Sequence, residues 1–195
     1  MKLVRALLAA IMAVSTTQAL AAYVAEVEPN NSFATAQLVD SSFSIDSDAI
    51  ITNSTTWAHA SIRGNGNADG GVTRDFFRFT SFGGNVLFDI DNGMLDLDSW
   101  LNLYDSTGTR IGSHDDGGVL DNGTVHGWDS YWLTSLAAGQ YVVEVGRYFD
   151  SALQQGQDYL LHISLEQHNV PEPGSLALAG LGLLAVGAAR RRKNA

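Results

Sequence analysis

The chain contains no cysteine, and proline occurs only at Pro29, Pro171 and Pro173 in 195 residues. The first absence excludes a disulfide framework, thiolate metal sites and a thiol nucleophile. The second leaves residues 30–170 free of the residue that most often interrupts strands. Lysine is as scarce, with Lys2 and Lys193 near the two ends. Between residues 22 and 169 the basic side chains are Arg63, Arg74, Arg78, Arg110 and Arg147, set against twenty acids, a formal charge of −15. Such a surface repels nucleic acid and anionic membrane and suits divalent cations, although solubility alone also accounts for it. Catalytic signatures are missing too: there is no Gly-x-Ser-x-Gly and no His-Glu-x-x-His. The histidines (His59, His114, His126, His162 and His168) form no i,i+4 pair of the zinc type. These gaps point away from an enzyme.

What is present begins at the ends. Lys2 and Arg5 precede an apolar run over residues 6–14, and small residues follow at Ala19 and Ala21. This is the pattern of a secretory signal peptide over residues 1–21, cut after Ala21 or, alternatively, after Ala19. At the other end Pro171-Glu172-Pro173 is followed by an uncharged glycine- and alanine-rich run over residues 175–189, then by Arg190, Arg191, Arg192 and Lys193. The run is shorter than the roughly 20 residues that cross a bilayer comfortably, and the basic cluster marks its cytoplasmic side. The tripartite order resembles the PEP-CTERM sorting signal of Gram-negative, polysaccharide-producing bacteria. That resemblance implies an exosortase-type processing enzyme as partner, a transient inner-membrane anchor, and delivery to the cell surface or beyond. The expected organisation is therefore a signal helix, one domain over residues 22–169, and a sorting tail with an apolar helix over residues 170–195.

No ten-residue segment of the exported region carries a helical period. Short alternating runs bounded by Gly, Asn and Asp appear instead, the pattern of an all-β sandwich or barrel. Strands are expected over residues 57–62, 76–81, 86–90, 100–104, 110–113, 130–136, 140–148 and 159–165, with a turn at Ala137-Ala138-Gly139 and a glycine turn at residues 105–108. A short helical turn is expected within residues 31–39. Residues 65–71 and 115–127 read as Gly/Asn/Asp-rich loops.

Three segments, in order, resemble the bacterial pre-peptidase C-terminal (PPC) domain. They are residues 26–36, opening Glu26-Val27-Glu28-Pro29-Asn30-Asn31-Ser32; the strand Asp75-Phe76-Phe77-Arg78-Phe79; and the hairpin from Asp98 through Leu101, Leu103 and Gly108 to Asp115-Asp116. The resemblance implies an antiparallel, jelly-roll-like β-sandwich and a calcium site. By that likeness Glu26, Glu28, Asn30, Asn31 and Asp75 are the metal ligands, with Asp69 a substitute where Arg74 stands in place of a second aspartate. Calcium takes six to eight oxygens, and acidic and amide side chains on an extended segment can wrap it. Asn30 or Ser32 capping a helical turn near Phe33 is the competing reading.

A second acidic set rests on pattern alone: Asp98, Asp115, Asp116 and Asp129, with Asp96 and Asp121 nearby. If strand ends bring these together, their repulsion calls for a cation; otherwise they form a solvated rim. His114 reads as a loop residue. Trp57 and Trp100 read as core, and Trp128, beside a loop, as a possible sugar contact. The expected function is an exported, calcium-stabilised, non-catalytic module serving extracellular polysaccharide binding or structure. A small hydrolase or peptidase accessory is the rival.

Overall fold

The computed structural model describes residues 23–66, 73–118 and 122–166. The expected terminal helices, the sorting motif and Asp69, Asp121 and His168 lie outside them. Among the described residues no helix is long and apolar enough to cross a membrane.

Eight strands follow in chain order: β1 (Val24–Ala25), β2 (Gln37–Leu38), β3 (Ala58–Asn65), β4 (Asp75–Asp91), β5 (Ser99–Tyr104), β6 (Arg110–His114), β7 (Tyr131–Arg147) and β8 (Asp158–Leu165). They form one sheet in the order β1-β3-β8-β4-β7-β5-β6, with β2 paired to β4. The all-β expectation holds. The sheet is mixed rather than wholly antiparallel, because the two-residue strands β1 and β2 run parallel to β3 and β4. Both belong to the N-terminal segment, which lies along strands already paired to other partners.

The long strands differ most from expectation. Residues 76–81 and 86–90 are one strand, β4, and residues 130–136 and 140–148 fall largely in one strand, β7. No reversal occurs at Ala137-Ala138-Gly139, where Ala138 pairs with Phe82 and Gly139 with Ser81. The chain bends instead at Gly83 and Gly84, whose φ angles of 93° and 120° suit only glycine. In one half of the folded sheet the first half of β4 pairs with the end of β7, which carries β5 and then β6 on its far side; in the other the second half of β4 carries β8, then β3 and β1.

The alternation of Phe77 and Phe79 with Arg78 and Thr80 places both phenylalanines wholly inside. Val86, Phe88 and Ile90 from the second half of β4 join the same core, with Leu101, Leu103, Val143, Val145, Leu161 and Ile163. Phe79 meets Phe88 edge-on at 5.7 Å across the bend. Trp57 and Trp100 are only half-buried and stand outside this core; Trp132 packs against it, 5.6 Å from Phe88. Trp100 lies on the outward face of β5, where its N–H donates to Asn102 at 3.2 Å.

Candidate metal centre

The expected helical turn is a single 3-10 turn, Phe33–Thr35, and Ser32 makes no side-chain cap to it. That releases the segment before it for another role. The backbone N–H of Glu26 donates to Arg63 at the end of β3, and the N–H of Phe76 in β4 donates to the Asn30 carbonyl, each at 3.0 Å. Residues 26–30 thus cross the chain ends where β3 finishes and β4 and β8 begin.

Three of the expected ligands meet there. One carboxylate oxygen from each of Glu26, Glu28 and Asp75 lies within 4.8 Å of the others. Asn30, fully buried, donates its side-chain N–H to Glu26 at 2.9 Å, and its backbone N–H donates to Glu28 at 2.8 Å. Asn31, half-buried, follows directly. Two further donors were not legible in the sequence. The backbone N–H of Asn65 donates to Glu26 at 2.9 Å, and the Tyr159 hydroxyl donates to Asp75 at 2.6 Å. The tyrosine ring lies directly over Gly64, its cross-strand neighbour, where a Cβ would collide with it.

Satisfaction of the site is incomplete in one direction only. Glu28 Oε1, Asn30 Oδ1 and Asp75 Oδ1 are buried and accept no hydrogen bond. All three are acceptors, so what they lack is a positive partner. Burial, and then the neighbouring Glu26, push the Asp75 carboxyl up to about 9. Burial also raises Glu26, against the hydrogen bonds it receives from Asn30 and Asn65. Burial and the Asp75 charge lift the Tyr159 hydroxyl well above its ordinary value, so it remains a donor. An all-oxygen donor set of this kind fits a hard cation such as Ca2+.

Arg74, which the sequence placed against the site, turns away from it. Its guanidinium pairs with Glu144 and, at 2.7 Å, with Asp150. Glu144 is buried and also accepts from the Tyr104 hydroxyl at 2.5 Å. Against its burial, Arg74 and Asn102 hold the Asp150 carboxyl below its ordinary value.

Of the second acidic set, Asp98, Asp115 and Asp116 converge within 4.8 Å. Burial raises Asp98, helped by Asp115 and Asp116. Asp129 is not one of this trio, although its charge also raises Asp98: it accepts from the backbone N–H groups of Val125 and His126 at 2.8 and 3.1 Å, closing a turn of its own loop. His114 stacks on Trp132 at 5.6 Å, its Nδ1 lying 3.2 Å from the Asp115 carbonyl.

Sequence reading also missed a polar layer on the outer face of β3, β8 and β4. His162 Nδ1 lies 2.9 Å from Ser61 Oγ and its Nε2 3.3 Å from Asp91, while His59 Nε2 lies 3.0 Å from Asp46. Ser61, His162 and Asp91 are at most 3% exposed, so the trio is closed to substrate and ties strands together. Alternation put His162 on the face opposite Leu161 and Ile163; nothing local revealed that the face would be covered.

Residues 169–193 match the PEP-CTERM protein-sorting motif. The chain is therefore an exported, exosortase-sorted protein with a transiently membrane-associated C-terminus. No curated protein matches it. Among solved structures it is similar to the pre-peptidase C-terminal domain of a collagenase from Bacillus anthracis, at 13% identity over 54% of this chain and 87% of that one, with a TM-score of 0.36. It is also similar to a β-glucosidase from Paenibacillus barengoltzii, at 15% identity over 72% of this chain and 13% of the glucosidase, with a TM-score of 0.25.

Proposed function

We propose that the exported domain is a non-catalytic module that binds Ca2+ through Glu26, Glu28, Asn30, Asn31 and Asp75, and that it serves extracellular polysaccharide binding or structure at the cell surface or in the matrix. The observation that carries the calcium reading is the set of buried oxygens on Glu28, Asn30 and Asp75 that accept no hydrogen bond. A buried acceptor left in this way costs about 1–3 kcal/mol, and more when charged. A divalent ion would satisfy all three at once and remove the repulsion between Glu26 and Asp75. With no disulfide available, the ion would also tie residues 26–30 to β4.

The test is thermal unfolding of the full chain with calcium and with chelator. A site occupied at 100 times its dissociation constant adds about 2.7 kcal/mol. Asp75→Asn should abolish that gain while leaving the calcium-free protein at least as stable as the parent, because it removes a buried carboxyl that must take up a proton on folding. Equal melting temperatures with and without calcium would remove the metal from this reading. The polysaccharide part is supported by the sorting address and by exposed aromatic side chains, Trp128 at 43% exposure among them.

A further inference from the structure

Three loops at one end of the folded sheet are stitched together. Residues 92–98 meet residues 148–158 through the Tyr148 N–H donating to Asp98 and the Met94 N–H donating to Asp158, each at 2.8 Å. They meet residues 122–130 through the Asn92 N–H donating to Gly123 at 3.1 Å and His126 lying 3.7 Å from Asp96. Each of the three loops exposes large apolar side chains: Met94 at 53% and Leu95 at 67%, Trp128 at 43%, and Tyr148 at 40% and Phe149 at 78%. Such residues are unremarkable singly, but grouped on joined loops they mark an interaction face.

The rings are held rather than loose. Tyr148 and Phe149 pack together at 4.1 Å, and Trp128 stacks on His126 at 4.8 Å. The Tyr148 carbonyl accepts from Ser151 Oγ at 2.6 Å, and Asp150 is clamped by Arg74, Asn102 and Arg110. Five of the six non-glycine residues with positive φ among the described residues lie here, Phe149 at 60° included. A prefixed aromatic side chain binds with little ordering cost.

The charge around the rings selects the ligand. Asp96, Asp98, Asp115 and Asp116 stand in or beside these loops, whose joined segments contribute no arginine or lysine; of the nearest cations, Arg147 ends β7, and Arg74 and Arg110 are already engaged by Asp150. The carboxylates by themselves define no site; the rings do, and the carboxylates decide what can lie on them. An anionic polymer is repelled, whereas a cation gains from both the carboxylates and the aromatic faces. We propose that this end binds a polysaccharide bearing free amino groups, a polymer of 2-amino-2-deoxyhexose, with Trp128, Tyr148 and Phe149 stacking on sugar rings and Asp96, Asp98 and Asp116 pairing with ammonium groups. This rests on the polysaccharide clause of the function proposed above and is independent of its calcium clause.

The test is titration of the full chain, at fixed calcium, with glucosamine oligomers, their N-acetylated counterparts, a neutral glucan oligomer and oligolysine, followed by tryptophan fluorescence. Glucosamine oligomers should bind at least tenfold more tightly than the acetylated ones and more tightly than oligolysine, with affinity falling as salt rises. Phe149→Ala and Trp128→Ala should each weaken binding about tenfold, and Asp98→Asn should flatten the salt dependence; these positions are exposed or half-exposed, and unchanged melting temperatures would confirm folding. Binding of no glycan at all would overturn both this inference and the polysaccharide reading. Equal binding of neutral, acetylated and amino glycans would spare that reading and overturn only the inference. Oligolysine binding as tightly as glucosamine oligomers, or full binding by the Phe149→Ala, Trp128→Ala double variant, would also overturn it.

Discussion

At the scale of single residues, Asp75 is where fold and site meet. Its carboxyl binds a proton in the folded chain at pH values where the unfolded chain, near 3.8, has lost it. Between that value and about 9 the folded state holds more protons, so stability falls as pH rises. In chelator, the urea midpoint should therefore decline from about pH 5 to about pH 9; saturating calcium should flatten the slope, and an equally steep slope with calcium would place the ion elsewhere. Gly64 is the second such residue, since any Cβ there meets the Tyr159 ring. Gly64→Ala should cost about 1–3 kcal/mol by urea unfolding, the usual cost of overpacking, and weaken calcium binding by pushing Tyr159 off Asp75. Glu26, Glu28, Asn30 and Asp75 were legible because they sit in short local motifs. Tyr159 was not: it lies 84 residues from its partner and looks like one more apolar position of an alternating strand.

At the scale of elements, the decisive feature is a pair of 17-residue strands, β4 and β7, where four shorter ones were expected. A glycine-containing break has the same composition whether the chain reverses or merely bends, so residues 83–84 and 137–139 could not be told apart from hairpins. What settles the matter is pairing: β7 follows β4 around the corner residue by residue. The strain falls on β4. Gly84→Ala, at φ 120°, should lose on the order of 1–3 kcal/mol. Gly139→Ala, whose Cβ would meet the Tyr141 ring at an ordinary 3.6 Å, should lose well under half of that. Equal losses by chemical denaturation would move the corner's strain onto β7. Periodicity found every major strand because period two survives burial on either face; it could not find the outer polar layer, because His162 and Ser61 read as solvent-facing.

At the scale of the whole molecule, the domain and the sorting segment act in succession. Deleting residues 190–193, or replacing Pro171, Glu172 and Pro173 with alanine, should leave the exported protein unprocessed. Intact-mass measurement would register this as a species retaining the tail, and an unchanged mature mass would separate the motif from processing. The order of strands adds a constraint in time. β8 lies between β3 and β4, yet it is the last strand among the described residues, ending at Leu165, four residues before the sorting motif begins. A chain that emerges N-terminus first must hold β3 and β4 apart, their facing edges unsatisfied, until this final strand arrives, and non-local pairing of this kind closes slowly. Closure of the sheet therefore waits on the stretch of chain that immediately precedes the sorting motif, which leaves that motif little slack between itself and the finished domain.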